Sequence, residues 1–330
     1  MSKGRIFSGM QPSGRFHLGN YMGALDNWVK LQNEYECIFS IVDLHALTSA
    51  YADTSHISEN IHNMALDWLS AGLDPEKNTI FIQSHVKEHA ELHLLLSMMT
   101  PLSWLERVPT YKDKMQNLGD QGKDINTYGF LGYPELMTAD IILYKAGFVP
   151  VGEDQQPHLE LAREITRRFN QMYKPVFPEC QGLMSEAKVL PGIDGRKMSK
   201  SYGNTIPFAA TPDEIRERVK MIVTDPSRIK KTDPGHPEVC VAYKFHQLFN
   251  KEEVPQLTKD CQGGCIGCVA CKKNLAEKLV DRMGGMHDRR EYYAGKPELI
   301  KEILYHGADK ARAIASQTMA EVKDAMNLNY

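Results

Sequence analysis

RIFSGMQPSGRFHLGN, residues 5–20, decides the fold. Its first five residues set β-branched Ile6 and aromatic Phe7 before a bounding Ser-Gly pair, which reads as a short strand. The segment SGMQPSGRFHLGN (8–20) then leaves that strand and opens a helix. Backbone N–H groups at a helix start attract anions, and small residues let a phosphate approach. Gly19 and Gly23 lie four apart, on one face of that helix. A glycine inside a helix costs about 1 kcal/mol relative to alanine. Two on one face imply close packing, either of the helix on a sheet or of a flat group such as adenine on the helix. The stretch is neither GxGxxG nor GxxxxGK[ST], so neither a nicotinamide cofactor nor a Walker-type phosphate loop is indicated.

Outward from this turn the pattern repeats. CIFSIVD (37–43), TIFIQS (79–84) and FVPVG (148–152) read as further strands. LGNYMGALDNWVKLQNEY (18–35), SENIHNMALDWLSAG (58–72) and EDQQPHLELAREITRRF (153–169) carry apolar residues at helical spacing. Such alternation predicts an α/β fold, a Rossmann-like doubly wound parallel sheet. After residue 205 the strands stop. TPDEIRERVKMIV (211–223) opens on a threonine cap with acids in its first turn. The chain ends in ELIKEILYHGADKARAIASQTMAEVKDAM (298–326). The expected domains are 1–205, catalytic, and 206–330, mostly helical, with the last helix able to return to the first domain.

The 330 residues are 42% hydrophobic and 25% charged, ordinary for a globular protein, and the net charge of −3 excludes a strongly basic nucleic-acid binder. No run approaches the roughly 18 apolar residues of a membrane span, and the first residues lack a signal-peptide stretch. A cytoplasmic protein without membrane association is expected. Its seven cysteines are then free for metal rather than disulfides.

A second motif, GRKMSKSYGN (195–204), sets Lys197 and Lys200 in a glycine-punctuated loop. Two flexible point charges suit a polyphosphate, although a lone KxxK is usually a solvated loop. HLGN followed by KMSKS about 180 residues later resembles the paired signatures of the class I aminoacyl-tRNA synthetases. IVDLHAL (41–47), YPELMTADIILY (133–144) and VPVGEDQ (149–155) narrow the resemblance to the bacterial tryptophanyl-tRNA synthetases, over essentially the whole chain. Asn20 stands where the family's first signature has its second histidine.

The resemblance implies activation of L-tryptophan by ATP with Mg²⁺, transfer to tRNA(Trp), and a homodimer. Carried over, the ATP contacts are Gln11, Pro12, Ser13, Gly19, Asn20, Gly152, Glu153, Asp154, Gln155, Val189, Lys197, Met198, Ser199, Lys200 and Ser201. His17, Lys112, Lys197 and Lys200 are the groups expected at the phosphates. Asp140 would accept the indole N–H, a donor-only group, because an acid on that apolar helix face is costly without a partner. Phe7, Gly9, Met137, Ile141, Val149 and Val151 would line the ring pocket. A tyrosine enzyme of the same class, a nucleotidyltransferase of the same superfold, and a non-catalytic metal-dependent RNA-binding protein are the competing readings.

DCQGGCIGCVACKK (260–273) holds four cysteines. The resemblance implies a ligand set of Cys240, Cys261, Cys268 and Cys271, the last three spaced C-x6-C-x2-C, for a 4Fe–4S cluster. By count alone, zinc fits as well. Cys265 forms a CIGC pair with Cys268 and offers an alternative ligand. Cys37 and Cys180 are expected to be structural. Arg228, Lys230, Lys231, Lys272 and Lys273 are either phosphate contacts or plain exposed cations.

Overall fold

The computed structural model describes residues 2–109, 111, 125–152, 155–184 and 190–329. Five strands, β1 (Arg5–Met10), β2 (Glu36–Ile41), β3 (Asn78–Ile82), β4 (Phe148–Val151) and β5 (Gln181–Met184), form one parallel sheet in the order 3-2-1-4-5. This is the doubly wound arrangement expected. β5 was not foreseen: QGLM is short, has no buried residue, carries a glycine and has no β-branched residue.

The helices of the first half are α1 (Leu18–Asn20), α2 (Asp26–Leu31), α3 (Asp43–Ala50), α4 (Ile57–Ala71), α5 (Glu88–Ser97), α6 (Leu102–Glu106), α7 (Tyr128–Leu131), α8 (Tyr133–Leu143) and α9 (Gln156–Met172). Those that follow are α10 (Pro212–Lys220), α11 (Val241–Phe249), α12 (Val254–Gln262), α13 (Cys268–Ala294) and α14 (Pro297–Ala325). The expected single helix over 18–35 is divided, because a π turn at Tyr21–Leu25 separates α1 from α2. Among the described residues no strand lies beyond Met184. None of the helices there is long and apolar enough to cross a membrane.

Alternate strand residues point to opposite faces of the sheet. Ile6, Phe39 and Ile80 join one core with Trp28, Trp68 and the α13 residues Leu275, Leu279 and Met283. Phe7, Ile38 and Phe81 join the other, with residues of α8, α9 and α14. Both faces are therefore covered, as a parallel sheet requires.

The last two helices both reach the sheet domain. On α13, Arg290 forms an ion pair with Asp67 of α4, and Arg289 Nε donates to the Ser70 carbonyl at 2.8 Å. α14 lies on the backbone of β3, an outer strand of the sheet. A Cβ added at Gly307 would stand 1.9 Å from the Ile80 carbonyl oxygen and 2.7 Å from its carbon. Gly307→Ala gains about 1 kcal/mol of helix propensity but forces the helix off the strand. A net loss of about 2 kcal/mol or more is expected, read as a lower urea midpoint with an unchanged slope.

Candidate active site

The strand order reverses between β1 and β4, and ligands of such sheets bind at the carboxyl ends of the strands beside that switch point. A cleft of about 330 Å³ opens there. Its walls include Phe7, Gly9, Met137, Asp140, Ile141, Val149 and Val151, together with Gln11, Gly152 and Gln155. All seven residues expected around the indole ring thus face one cavity, beside three of those expected at ATP.

Asp140 sits on α8, 2% exposed. Three protein donors hold it: His45 Nε2 at 2.9 Å on Oδ2, His89 Nδ1 at 2.6 Å on Oδ1, and Gln83 Nε2 at 2.7 and 2.9 Å across both oxygens. Burial raises its pKa, but the adjacent His89 and the hydrogen bonds from His45 and His89 outweigh burial and hold the carboxyl well below the usual range. The surroundings of Asp140 are thus not only apolar, as the helix face alone suggested, since three protein donors meet it. The carboxylate is already ionised, and each of its oxygens faces two protein contacts, the Gln83 amide straddling both. Sequence reading assigned His45, Gln83 and His89 no role. They come from three separate segments and share no spacing.

The first signature is built by a reciprocal cap. His17, extended at φ −133°, takes the Asn20 N–H on Nδ1 at 3.3 Å, while Asn20 Oδ1 accepts the His17 N–H at 3.1 Å. Asn20 therefore fixes the turn. Burial, and then the charge of Lys200, lowers the His17 pKa to about 4. The ring is neutral at pH 7, and since Nδ1 accepts, Nε2 carries the proton and is free to donate. The two glycines differ. A Cβ at Gly19 would meet His17 Nδ1 at 2.9 Å and Met198 Sδ at 3.2 Å, whereas Gly23 meets nothing within 4 Å and faces the cleft. Close packing explains Gly19, and only Gly23 leaves room for a flat group.

The second signature lies against the first. Lys200 Nζ donates to the Ser13 carbonyl at 2.7 Å, and the Gly19 N–H points to Met198 Sδ at 3.3 Å. Lys197 is exposed on the loop. The loop is organised by Asn204, whose Oδ1 accepts the Ser199 N–H at 2.8 Å. Its Nδ2 donates to Asp194 Oδ1 at 2.8 Å and to the Lys197 carbonyl at 3.1 Å. Sequence reading quoted Asn204 within the motif but gave it no role. Pro12 is buried. Lys112, Glu153, Asp154 and Val189 lie outside the described residues, as does the side chain of Ser201.

The cysteines gather elsewhere. Cys240 caps α11, Cys261 ends near the tip of α12, and Cys268 and Cys271 form the first turn of α13. Burial raises the thiol pKa of Cys240, Cys261 and Cys271, the last to about 12, and neighbouring cysteines of the same four raise each further. Arg228 Nη1 stands 4.0 Å from the sulfurs of both Cys261 and Cys268, so those two are at most twice that distance apart. Cys265 is exposed, its sulfur turned to the Gly263 carbonyl at 3.6 Å. Among the described residues no three His, Cys, Asp or Glu side chains are drawn tightly enough to hold a metal ion. Lys272 is spent on the Lys220 and Ile222 carbonyls.

A doubly wound sheet with a cleft at its switch point and the two signatures packed on each other is the architecture of a class I synthetase. The family described as tRNA synthetases class I (W and Y) matches residues 2–284, and the chain belongs to it. Its similarity runs to the tryptophan members. It is 47% identical to the tryptophan–tRNA ligase of Thermotoga maritima, covering 99% of this chain and 100% of that one. With the Aquifex aeolicus tryptophan–tRNA ligase it shares 43% identity, over 98% and 100%. The crystal structure of Campylobacter jejuni tryptophanyl-tRNA synthetase, complexed with ADP and tryptophan, superposes with a TM-score of 0.88 at 35% identity, covering 98% and 99%.

Proposed function

We infer that the chain is a tryptophan–tRNA ligase. It activates L-tryptophan with ATP and passes the aminoacyl group to tRNA(Trp). The observation that carries this reading is full-length identity to tryptophan–tRNA ligases, joined to a cleft that ends in an ionised Asp140. Neither step needs an enzyme nucleophile. The tryptophan carboxylate attacks the α-phosphate and pyrophosphate leaves, so the protein's work is alignment and charge stabilisation. His17 Nε2–H, Lys197 and Lys200 meet the phosphates. Gln11, Gly152 and Gln155 hold the nucleoside end, with Glu153 and Asp154 beside them. Mg²⁺ arrives with ATP. The test is pyrophosphate exchange. Exchange with tryptophan and none with tyrosine is expected, and exchange driven by tyrosine would overturn the reading.

Residues 1–205 form the catalytic part and 206–330 the anticodon part, with α14 packed back on the former. The enzyme works in the cytoplasm, where its tRNA is. Leu94, Met98, Leu102 and Tyr128 are exposed large apolar residues on or beside α5, α6 and α7, and the Tyr128 ring lies 6.5 Å from that of His93 on α5. We read this patch as the seat of a homodimer, to be checked by light scattering on the purified chain.

Cys240, Cys261, Cys268 and Cys271 are read as ligands of a 4Fe–4S cluster. One zinc would pull four sulfurs to about 3.8 Å of each other. What supports a shared ligand is that Cys240, Cys261 and Cys271 each have their thiol pKa raised by others of the four. Bound, it would tie α11, α12 and α13 together. About four irons and four sulfides per chain are expected on anaerobic purification. They should be lost in Cys261→Ser and kept in Cys265→Ser, whereas one zinc and no sulfide would overturn the cluster.

A further inference from the structure

Behind the cleft, Asp140 is connected to a second buried group. His89 is wholly buried and bridges two partners, with Nδ1 at 2.6 Å from Asp140 Oδ1 and Nε2 at 2.8 Å from the Tyr144 hydroxyl. Tyr144 is buried as well and stacks on Phe7 with ring centroids 5.4 Å apart, and His89 stacks on Phe81 at 5.9 Å. Water does not reach this pair, so the proton order follows from the partners. The phenol is held protonated by burial and by the nearby acids Asp140 and Glu88. It donates to Nε2, which leaves Nδ1–H to donate to Asp140. Gln83 and His45 occupy further lone pairs of the same carboxylate.

We propose that the Tyr144–His89 relay is a specificity-determining positioning device. It fixes Asp140 as an acceptor-only carboxylate in the wall of the cleft, where an indole N–H takes over one of the two contacts that the Gln83 amide spreads across the oxygens. His89 touches no substrate and acts through Asp140. The proposal rests on the reading of Asp140 as acceptor of the indole N–H. An acid left alone in an apolar wall keeps its proton, and a protonated acid offers a donor where the indole also offers one. A site built to pair an N–H rejects ligands without it only while its acceptor stays fixed. Removing the relay therefore costs discrimination before it costs chemistry.

The experiment compares tryptophan with its benzothiophene analogue, in which sulfur replaces the N–H, by pyrophosphate exchange. The variants are His89→Gln, His89→Asn and Tyr144→Phe. Asparagine can offer a donor near the Nδ1 position, while glutamine offers one near Nε2 and withdraws it from Asp140. In His89→Gln the preference for tryptophan falls at least tenfold, through a raised KM for tryptophan with kcat changed less. His89→Asn retains most of the preference. Tyr144→Phe is intermediate. Each variant is checked for the parent melting temperature, and an unfolded His89→Gln leaves Tyr144→Phe to decide. An undiminished preference in folded His89→Gln or Tyr144→Phe overturns the relay. A wild-type enzyme that does not distinguish the two amino acids overturns the Asp140 reading instead.

Discussion

Asp140→Ala lowers kcat/KM for tryptophan activation by about 10³-fold or more. Two losses combine. The indole N–H goes from a charged acceptor to none, and hydrogen bonds to charged groups contribute about 1.5–3 kcal/mol. The second loss lies behind the ring. His45, Gln83 and His89 all point donors at the carboxylate, and removing it leaves them buried and unpaired. Each orphaned group costs about 1–3 kcal/mol, so the variant also melts earlier. Asp140→Asn separates the two effects. It keeps the volume and one acceptor but halves the acceptor capacity, so it should fold better than alanine yet still activate tryptophan poorly. Pyrophosphate exchange at saturating ATP, beside a thermal melt, reads both. An Asp140→Ala enzyme with unchanged KM and kcat would sink the assignment.

Lys200→Ala is the second large effect: kcat for adenylate formation drops by about 10²–10³-fold, with KM for ATP rising much less. Its ammonium is partly desolvated, which lowers its pKa, while the charge of Asp67 opposes this. Its described hydrogen bond goes to a neutral carbonyl, that of Ser13. A triphosphate is a far better partner, so the side chain is expected to move from Ser13 to the phosphates as charge develops there. An interaction made mainly in the transition state appears in kcat. Arginine is a poor substitute, because its planar fork cannot follow a moving phosphate as a point charge does. Single-turnover adenylate formation distinguishes this from slowed product release. A raised KM for ATP with kcat unchanged would point to uniform binding instead.

Four of the five strands, both signatures and the pocket wall were legible because each is a local pattern. A β-branched run, a glycine-bounded turn or residues on one helix face can be read from neighbours in sequence. What escaped is non-local. Positions 45, 83, 89 and 140 meet only after three strands and their crossovers have folded. Asn204 earns its place through one turn's geometry rather than through any spacing. β5 has too little β propensity to declare itself, and the π turn at Tyr21–Leu25 interrupts a pattern that reads as one helix. Gly19 and Gly23 look equivalent at four residues' separation, yet one is sealed by His17 and Met198 and the other opens on the cleft.

The docking of α14 on β3 has a consequence for how the chain is made. Synthesis delivers residue 80 first and residue 307 only 227 residues later. At roughly 5–20 residues per second, the outer strand of the sheet waits on the order of 10–45 s for the helix that covers it. Until then a run of Thr79, Ile80, Phe81 and Ile82 is open to any other strand. The nascent protein is therefore most vulnerable to mispairing late in translation, and a message truncated before codon 297 would yield a chain that cannot leave that state.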